Sequence, residues 1–572
     1  MSINALSAQK VELEEFWINE AKSLIWKKKF DRVLEGDLCS AKWFLGGRIN
    51  VYDNLIKKHS KTENWNKTAI ISENEIGEVR KISYAELDQL ASRIASGLKD
   101  NGLHAGDWLL IYAPPCIESF ATILAGVKLG SPFEVVFTGF GWLEVAKRIA
   151  LRKPRIVFTV DGFYRNKKIL EPLKTLRKAL DFLKFKPKVI VHNRFGSKLY
   201  NELAFEELLG KGSGRSAIFD SQDPLFGLHV GYEEEFKPVT HSAGGFLVQA
   251  ISTAKMLGIS SSDTIFCTIW PCWITGATYG IFAPLMLGST ILSYEGAPDY
   301  PNWNRYLELI EKHKATIFIT AGGILRILSE RDFSRDLSLK AVFSTPDMLN
   351  AEVLSKIQRI FGEAQLKVTF IQGELGSFVT NSNAQTPLGS VGKAMPGFLL
   401  DVIDQKGAPI RNKIERLIVR APWPAMPLDR EFRALLKNGF YDTMNLGLIN
   451  DDGYIFSFGR RDSVLRIKGY RLSPGAIESA IEFDDTKKAV VVGIKDEDGD
   501  ELPIVIVEGA ISDEDIKRKI SERFGAFIKP YTVLSVERIQ GDKNEIRRAL
   551  KNALREKRDL SKVYEILKHQ IG

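Results

Sequence analysis

Cysteine is scarce in this chain: four residues in 572, at Cys39, Cys116, Cys267 and Cys272. None forms a CxxC pair, and Cys267 with Cys272 has no histidine nearby at metal spacing. A disulfide framework and a zinc site are therefore both excluded as organising devices. All four thiols are expected to be reduced and buried. Long apolar runs are missing too. None reaches the roughly 18 residues that a membrane span needs, and residues 1–22 are charged, with no apolar signal core. The expectation is a cytoplasmic protein without a membrane partner. Also absent are an internal repeat, a low-complexity segment and a dense block of Lys and Arg.

What is present is ordinary for a globular protein with a full core: 44% hydrophobic and 26% charged residues, in a length that suits several packed subdomains. The net charge of +8 and pI near 9.0 fit an anionic small ligand. Without an interleaved basic and aromatic patch, they do not point to nucleic acid. The basic stretch 517–558 is mixed with Asp and Glu, as in solvated surface helices.

From residue 81 onward, apolar runs alternate with helical patterns. Ser83 followed by Glu86 is a capping box that starts a helix. Strands are expected at 108–112, 133–137, 155–160 and 189–192, with helices at 117–129 and 142–151 and a long basic helix before the last strand. After a loop near 223–245 the rhythm resumes. Helices are expected over 246–256, 279–287, 303–314 and 351–361, and strands over 264–268, 289–294, 316–320 and 367–371. Such alternation builds βαβ units and a mostly parallel sheet. Residues 1–60 read as an arm with aromatic anchors at Trp17, Phe30, Trp43 and Phe44. Past 388 the pattern turns β-rich, and past 459 it becomes a compact α/β tail with strands at 489–494 and 503–507.

Several long motifs then occur in a telling order. They are Ala41-Lys42-Trp43-Phe44-Leu45-Gly46-Gly47, Asp161-Gly162-Phe163-Tyr164-Arg165, the run Trp270-Pro271-Cys272-Trp273-Ile274-Thr275-Gly276, and Tyr294-Glu295-Gly296-Ala297-Pro298. Gly459-Arg460-Arg461-Asp462 and Lys468-Gly469-Tyr470-Arg471-Leu472 follow. With these the chain resembles, nearly end to end, the AMP-forming acetyl-CoA synthetases of the adenylate-forming superfamily. The resemblance implies the α/β adenylate-forming fold. Its large N-terminal domain, 1–459, has parallel-sheet α/β subdomains plus a β-rich subdomain, and includes the arm at 1–60. Its small mobile C-terminal α/β domain, 460–572, turns about a hinge near Asp462. One orientation adenylates a carboxylate with ATP, and the other passes the acyl group to CoA. ATP with Mg²⁺ and CoA enter as substrates, and no tightly bound cofactor is implied.

The resemblance also assigns sites. The family's phosphate loop reads Thr-Ser-Gly-Thr-Thr-Gly-x-Pro-Lys. Matched without gaps from His241, this chain keeps Gly231 and Lys237. It carries His229, Val230, Tyr232 and Glu233 for the hydroxyl residues, Glu234 for the second glycine, and Glu235 after it. A glycine loop works because backbone N–H groups approach phosphate with no Cβ in the way. Each carboxylate added beside a phosphate costs about 1 kcal/mol in water and up to about 4 at a protein-like dielectric.

Elsewhere, Glu374 matches the Mg²⁺-associated glutamate, while Gly373 stands where a threonine contacts phosphate. Thr345, within Ser344-Thr345-Pro346, stands for the adenine-side motif. Asn445 replaces the ribose-binding aspartate, losing a charge-assisted hydrogen bond. Arg460 and Arg471 occupy the nucleotide-contacting arginine positions, Arg471 also being counted as catalytic. The adenylating lysine position falls on Asn544, with Lys543 displaced by one, a slip that turns an extended side chain to the opposite face. Arg165 and Gly469 take CoA-associated positions. In the acyl pocket, Ile274 and Thr275 keep the wall, Ile371 replaces a bulky Trp and Phe343 replaces a smaller aliphatic residue, which together suit a C2 to C4 acid.

Two functions follow. The main reading is an acetyl or short-chain acyl-CoA synthetase homologue with weak or no adenylation, serving as a binding module or as a paralogous synthetase subunit that recognises CoA or acyl-CoA. The alternative is an active AMP-forming ligase that converts a short carboxylate, ATP and CoA to acyl-CoA, AMP and pyrophosphate. Either could act as a homo-oligomer.

Overall fold

The computed structural model describes residues 3–551 except 213, 231–236, 332–336, 346–350, 437, 461–464, 468–469, 473, 483–487, 496–500, 510, 526–527, 529–531, 537–538, 540–545 and 548–549, with only the backbone described at Arg460 and Arg471. Asp462, Gly469, Lys543, Asn544, Gly231 and the three loop glutamates thus lie outside the described residues.

The chain opens with α1 (Ile3–Ala21) and short strands, then β1 (Thr68–Asn74), β2 (Val79–Ser83) and α2 (Tyr84–Asp100). It continues through β3 (Leu109–Tyr112), α3 (Ile117–Leu129), β4 (Phe133–Val135), α4 (Trp142–Arg152) and β5 (Ile156–Val160). A small hairpin of β6 (Phe163–Arg165) and β7 (Lys168–Leu170) precedes α5 (Pro172–Phe182), β8 (Lys188–His192) and β9 (Leu203–Ala204). Then come β10 (Pro224–Val230), β11 (Lys237–Ser242), α6 (Ala243–Met256), β12 (Thr264–Cys267), β13 (Thr290–Glu295) and α7 (Arg305–His313). Next are β14 (Ile317–Ala321), β15 (Ala341–Thr345), α8 (Ala351–Phe361) and β16 (Gln365–Val368).

These strands make two seven-stranded sheets, ordered β9-β8-β5-β3-β4-β10-β11 and β16-β15-β14-β12-β13-β1-β2. In each, six strands are parallel and the last pairs antiparallel as an edge hairpin. The central strands β3, β5 and β13 are buried along their whole length, as parallel strands covered by helices on both faces must be. A large apolar cluster, with Phe133, Phe226, Phe246 and Phe282 in ring contact, runs between the sheets.

The β-rich part is a four-stranded antiparallel sheet of β17 (Leu400–Ile403), β18 (Glu415–Val419), β19 (Tyr441–Ile449) and β20 (Ile455–Arg460). The tail adds β21 (Leu465–Ile467), β22 (Tyr470–Leu472), α9 (Pro474–Glu482), β23 (Ala489–Lys495), β24 (Glu501–Glu508), α10 (Asp513–Phe524) and β25 (Thr532–Val536). Its two apolar clusters contain only residues from 465 onward. The tail meets the rest of the chain where α10 packs on α4. Arg523 lies 3.7 Å from Glu144, and Glu522 lies 3.3 Å from Lys178. Gly141 allows the approach, since a Cβ there would sit 2.0 Å from the Glu522 carbonyl oxygen.

The α/β alternation is as the sequence indicates. The Ser83 hydroxyl accepts from the Glu86 amide at 3.2 Å while the Glu86 carboxylate accepts from the Ser83 amide at 2.8 Å, completing the capping box. Four expectations need correction. The arm begins with a 19-residue helix, α1, which its sparse apolar spacing does not signal. The expected strand at 367–371 ends at Val368 because the Phe370 amide turns to the Thr380 hydroxyl instead of a neighbouring strand. The helix expected at 279–287 begins at Ile274 and passes through a π-turn at Thr278–Phe282, fixed by the Thr278 hydroxyl donating to the Gly376 carbonyl at 2.8 Å. Of the four free cysteines only Cys116 is fully buried. Cys39, Cys267 and Cys272 are half-buried.

Candidate functional site

Parallel sheets place the C-terminal ends of their strands at a common crevice, the usual ligand site of open α/β folds. In the second sheet that edge gathers Thr345 at the end of β15, the turn 369–376 after β16, the segment 268–275 after β12, and Glu295 with Gly296 at the end of β13. Thr345 is buried, and the Thr369 amide donates to the Ser344 carbonyl at 3.1 Å, so the turn starts alongside Thr345.

The turn is braced from three directions. Gln372 donates to the Thr443 carbonyl at 2.8 Å and accepts from the Tyr441 hydroxyl at 3.2 Å. The Trp423 indole donates to the Glu374 carbonyl at 3.1 Å. The buried His241 ring sits between two acceptors, the Ala425 carbonyl at 2.7 Å from Nδ1 and the Gly373 carbonyl at 2.9 Å from Nε2. Burial pushes the His241 pKa down to about 4, so the ring is neutral at pH 7 and donates to one carbonyl at a time.

Asn445 reaches this place through a bulge. Thr443 and Met444 are extra residues between the pairs Ile418↔Asp442 and Leu417↔Asn445, and Met444 has φ 58°. The bulge turns Asn445 into a buried position, opposite Arg460 in the register of β19 and β20. The turn that carries Glu374 is thus joined at its start to β15 beside Thr345 and through Gln372 to the strand that carries Asn445, opposite Arg460.

The hairpin β10–β11 stays paired as far as Val230↔Lys237, so Lys237 begins a strand. Next to its last pairs, at His229, lies a buried ionic group. Glu134 accepts from Arg152 at 2.5 Å and faces His229 Nδ1 at 2.6 Å, while Arg152 also donates to the Thr240 hydroxyl at 3.0 Å and packs over the Trp108 ring. Burial alone would raise the Glu134 pKa, but the charges of His229 and Arg152 outweigh it and hold the carboxyl at about 2. Burial pushes the His229 imidazole down, against the pull of the carboxylate.

Across from the hairpin, a Cβ on Gly373 would lie 2.7 Å from Val230 Cγ1 and 3.1 Å from Leu228 Cδ1. The space that a side chain at 373 would need is already filled by the hairpin.

Ile274, Thr275, Phe343 and Ile371 are all buried, and the three apolar ones share one cluster. Phe343 stacks on Phe378, which stacks on Tyr279 at 4.3 Å, making an aromatic column within that cluster. Near Trp270 and Tyr294 a cavity of about 30 Å³ remains, enough for about one water molecule.

Arg165, at the end of β6, donates to the Gly296 carbonyl at 2.9 Å. Beside it, buried Glu295 pairs with Arg194 at 2.7 Å. Burial outweighs Arg194 and raises the Glu295 pKa to about 7. The sequence reading missed the Glu134, Arg152 and His229 group and the Glu295 and Arg194 pair. Glu295 stands in a recognisable motif, whereas nothing local marks Glu134. Among the described residues no three His, Cys, Asp or Glu side chains are grouped to hold a metal. Glu374 is one carboxylate at the edge. That suits a Mg²⁺ arriving with ATP, since this ion commonly takes one or two carboxylates plus phosphate oxygens. Among the described residues no helix is long and apolar enough to cross a membrane.

Comparison with known proteins fits this picture. Residues 57–426 match the AMP-binding enzyme family and residues 6–55 match the acetyl-coenzyme A synthetase N-terminus. The acetyl-coenzyme A synthetase of Methanothrix thermoacetophila is 31% identical over 552 residues, covering 90% of this chain and 84% of that protein. Its counterpart in Pyrobaculum aerophilum is 30% identical over 564 residues, covering 91% and 84%. Among solved structures, the acetoacetyl-CoA synthetase from Streptomyces lividans superposes with a TM-score of 0.75 at 21% identity, covering 94% of this chain and 88% of that one, which supports the fold. The chain belongs to the AMP-binding enzymes, among the AMP-forming acyl-CoA synthetases.

Proposed function

We propose that this chain is an AMP-forming ligase for a short carboxylate of two to four carbons, with a slowed adenylation step. A carboxylate oxygen attacks the α-phosphorus of ATP and pyrophosphate leaves. The CoA thiol then attacks the acyl carbon and AMP leaves. The observation that carries the reading is that the turn holding Glu374, at the carboxyl edge of the parallel sheet, is hydrogen-bonded both to β15 beside Thr345 and to the strand of Asn445, which pairs with Arg460. In this scheme Thr345, Asn445, Arg460 and Arg471 hold the nucleotide, and Glu374 meets its Mg²⁺. Lys237 and Gly231 are what remains of the phosphate loop, and Lys543 supplies the adenylating cation. Ile274, Thr275, Phe343 and Ile371 enclose the acid, while Arg165 and Gly469 meet CoA. The boundary near 459/460, with Asp462 as hinge, allows one site to serve both steps. The separate apolar clusters of the tail support it. The cytoplasm, which supplies ATP and CoA together, is the fitting compartment.

A second reading is favoured by one contact. Val230 fills the space beside Gly373, where a hydroxyl would be needed to meet phosphate. If the loss is complete, the chain binds CoA or acyl-CoA as a partner subunit without adenylating. The test is incubation with Mg-ATP, CoA and each of acetate, propionate and butyrate, with acyl-CoA and AMP measured. Equal amounts of both products support the ligase. CoA binding with no AMP from any acid supports the second reading.

A further inference from the structure

Glu75 lies just beyond β1, and its buried carboxylate accepts three backbone N–H groups: Lys167 at 2.9 Å, Asn166 at 2.7 Å and Ala297 at 2.8 Å. The first two form the tip of the β6–β7 hairpin, where Arg165 pairs with Lys168 across a two-residue turn. Both tip residues are left-handed, Asn166 at φ 52° and Lys167 at φ 65°. Hairpins of this length want such angles to match the strand twist, but they are normally supplied by Asn-Gly. A lysine in the second place is disfavoured and needs an outside hold, which the carboxylate supplies. A carboxylate receiving several amide donors makes charge-assisted hydrogen bonds, stronger than neutral ones.

The third donor closes a ring. Ala297 follows Gly296, whose carbonyl accepts from the Arg165 guanidinium at 2.9 Å. Glu75 and Arg165 therefore grip the same two-residue segment, Glu75 through its N–H and Arg165 through its C=O. Removing Glu75 frees both the turn that follows Arg165 and the segment that Arg165 rests on.

We infer that Glu75 is a positioning residue for CoA, fixing Arg165 through the Asn166–Lys167 turn and the Gly296–Ala297 segment. This rests on the reading of Arg165 as a CoA contact. Glu75 touches no substrate in this scheme. Glutamine is the informative replacement, because its amide NH₂ would face a backbone N–H in place of an acceptor.

The experiment is calorimetric titration of the full chain with CoA and, separately, with Mg-ATP, for wild type, Glu75→Gln, Glu75→Asp and Arg165→Ala. The expected result is at least a tenfold loss of CoA affinity in Glu75→Gln, a smaller loss in Glu75→Asp, and ATP affinity unchanged within twofold. CoA affinity unchanged in Glu75→Gln, while Arg165→Ala weakens it, overturns the role of Glu75 alone. CoA affinity unchanged in Arg165→Ala, or no CoA binding by wild type, overturns the reading of Arg165 and the inference with it. Should the Glu75 variants fail to fold, amide exchange in the wild type decides. The Asn166, Lys167 and Ala297 amides are expected to be protected and to slow further with CoA, and exchange at free-turn rates overturns the inference.

Discussion

Val230 and Gly373 share one space: a Cβ at residue 373 would come within 2.7 Å of Val230 Cγ1. The two belong to different segments, the β10–β11 hairpin and the turn after β16, so their identities are coupled through packing. A larger residue at 373 requires a smaller one at 230.

Gly373→Ala alone is expected to destabilise the protein by about 1–3 kcal/mol, the usual cost of overpacking. Combined with Val230→Ala, the loss should be smaller than the sum of the two single changes, since contacting residues are not additive. Denaturant unfolding of the two single variants and the double variant measures the coupling. Additive losses would mean that the two side chains do not compete.

Glu134 is expected to matter for stability. Glu134→Gln leaves the Arg152 guanidinium, whose side chain is only 8% exposed, without its carboxylate, at a cost of about 3 kcal/mol. Glu134→Leu with Arg152→Met removes both charges and should recover part of that loss, the remainder reflecting the His229 ring and the Leu228 and Val239 carbonyls that lose a partner. Thermal unfolding of the variants gives the comparison.

Acid should weaken the fold in a window set by His241. Its folded pKa is lowered to about 4 by burial, against about 6.5 when unfolded. Between those values the unfolded chain takes up the proton and the folded one does not, so stability falls as pH drops from about 6.5 to about 4. The full effect amounts to about 3 kcal/mol. In His241→Gln this part of the slope disappears, which urea unfolding at pH 7 and pH 4.5 detects.

The α/β rhythm was legible because apolar runs and caps are local: Ser83 with Glu86, and 117–129 and 351–361 as helices, are read from neighbouring residues. The end of β16 was not, because Thr369, Phe370 and Ile371 look like strand residues and only the Thr380 hydroxyl diverts them. At the site, Thr345, Glu374 and Asn445 were found through motif order. Glu134 and Glu75 were not, since their partners His229 and Asn166 lie about ninety positions away, and Ala297 farther still. The resemblance alone makes Gly373 an expected loss of a hydroxyl. In three dimensions a Cβ there would meet Val230.

The proposed acyl pocket gives a further expectation. Phe343→Val removes the stacking on Phe378 and frees volume in the cluster that it shares with Ile371. The preferred acid should lengthen by one or two carbons, read as kcat/KM across acetate, propionate, butyrate and valerate. A preference unchanged in a folded variant would place the acid elsewhere.

Carboxylate-dependent ATP–pyrophosphate exchange tests the central claim most directly, in the wild type and in a variant joining Val230→Ala with Gly373→Thr. A slowed ligase gives wild-type exchange above the no-acid control, rising at least tenfold when the hydroxyl is restored beside the hairpin. No acid-dependent exchange from either folded protein would contradict it.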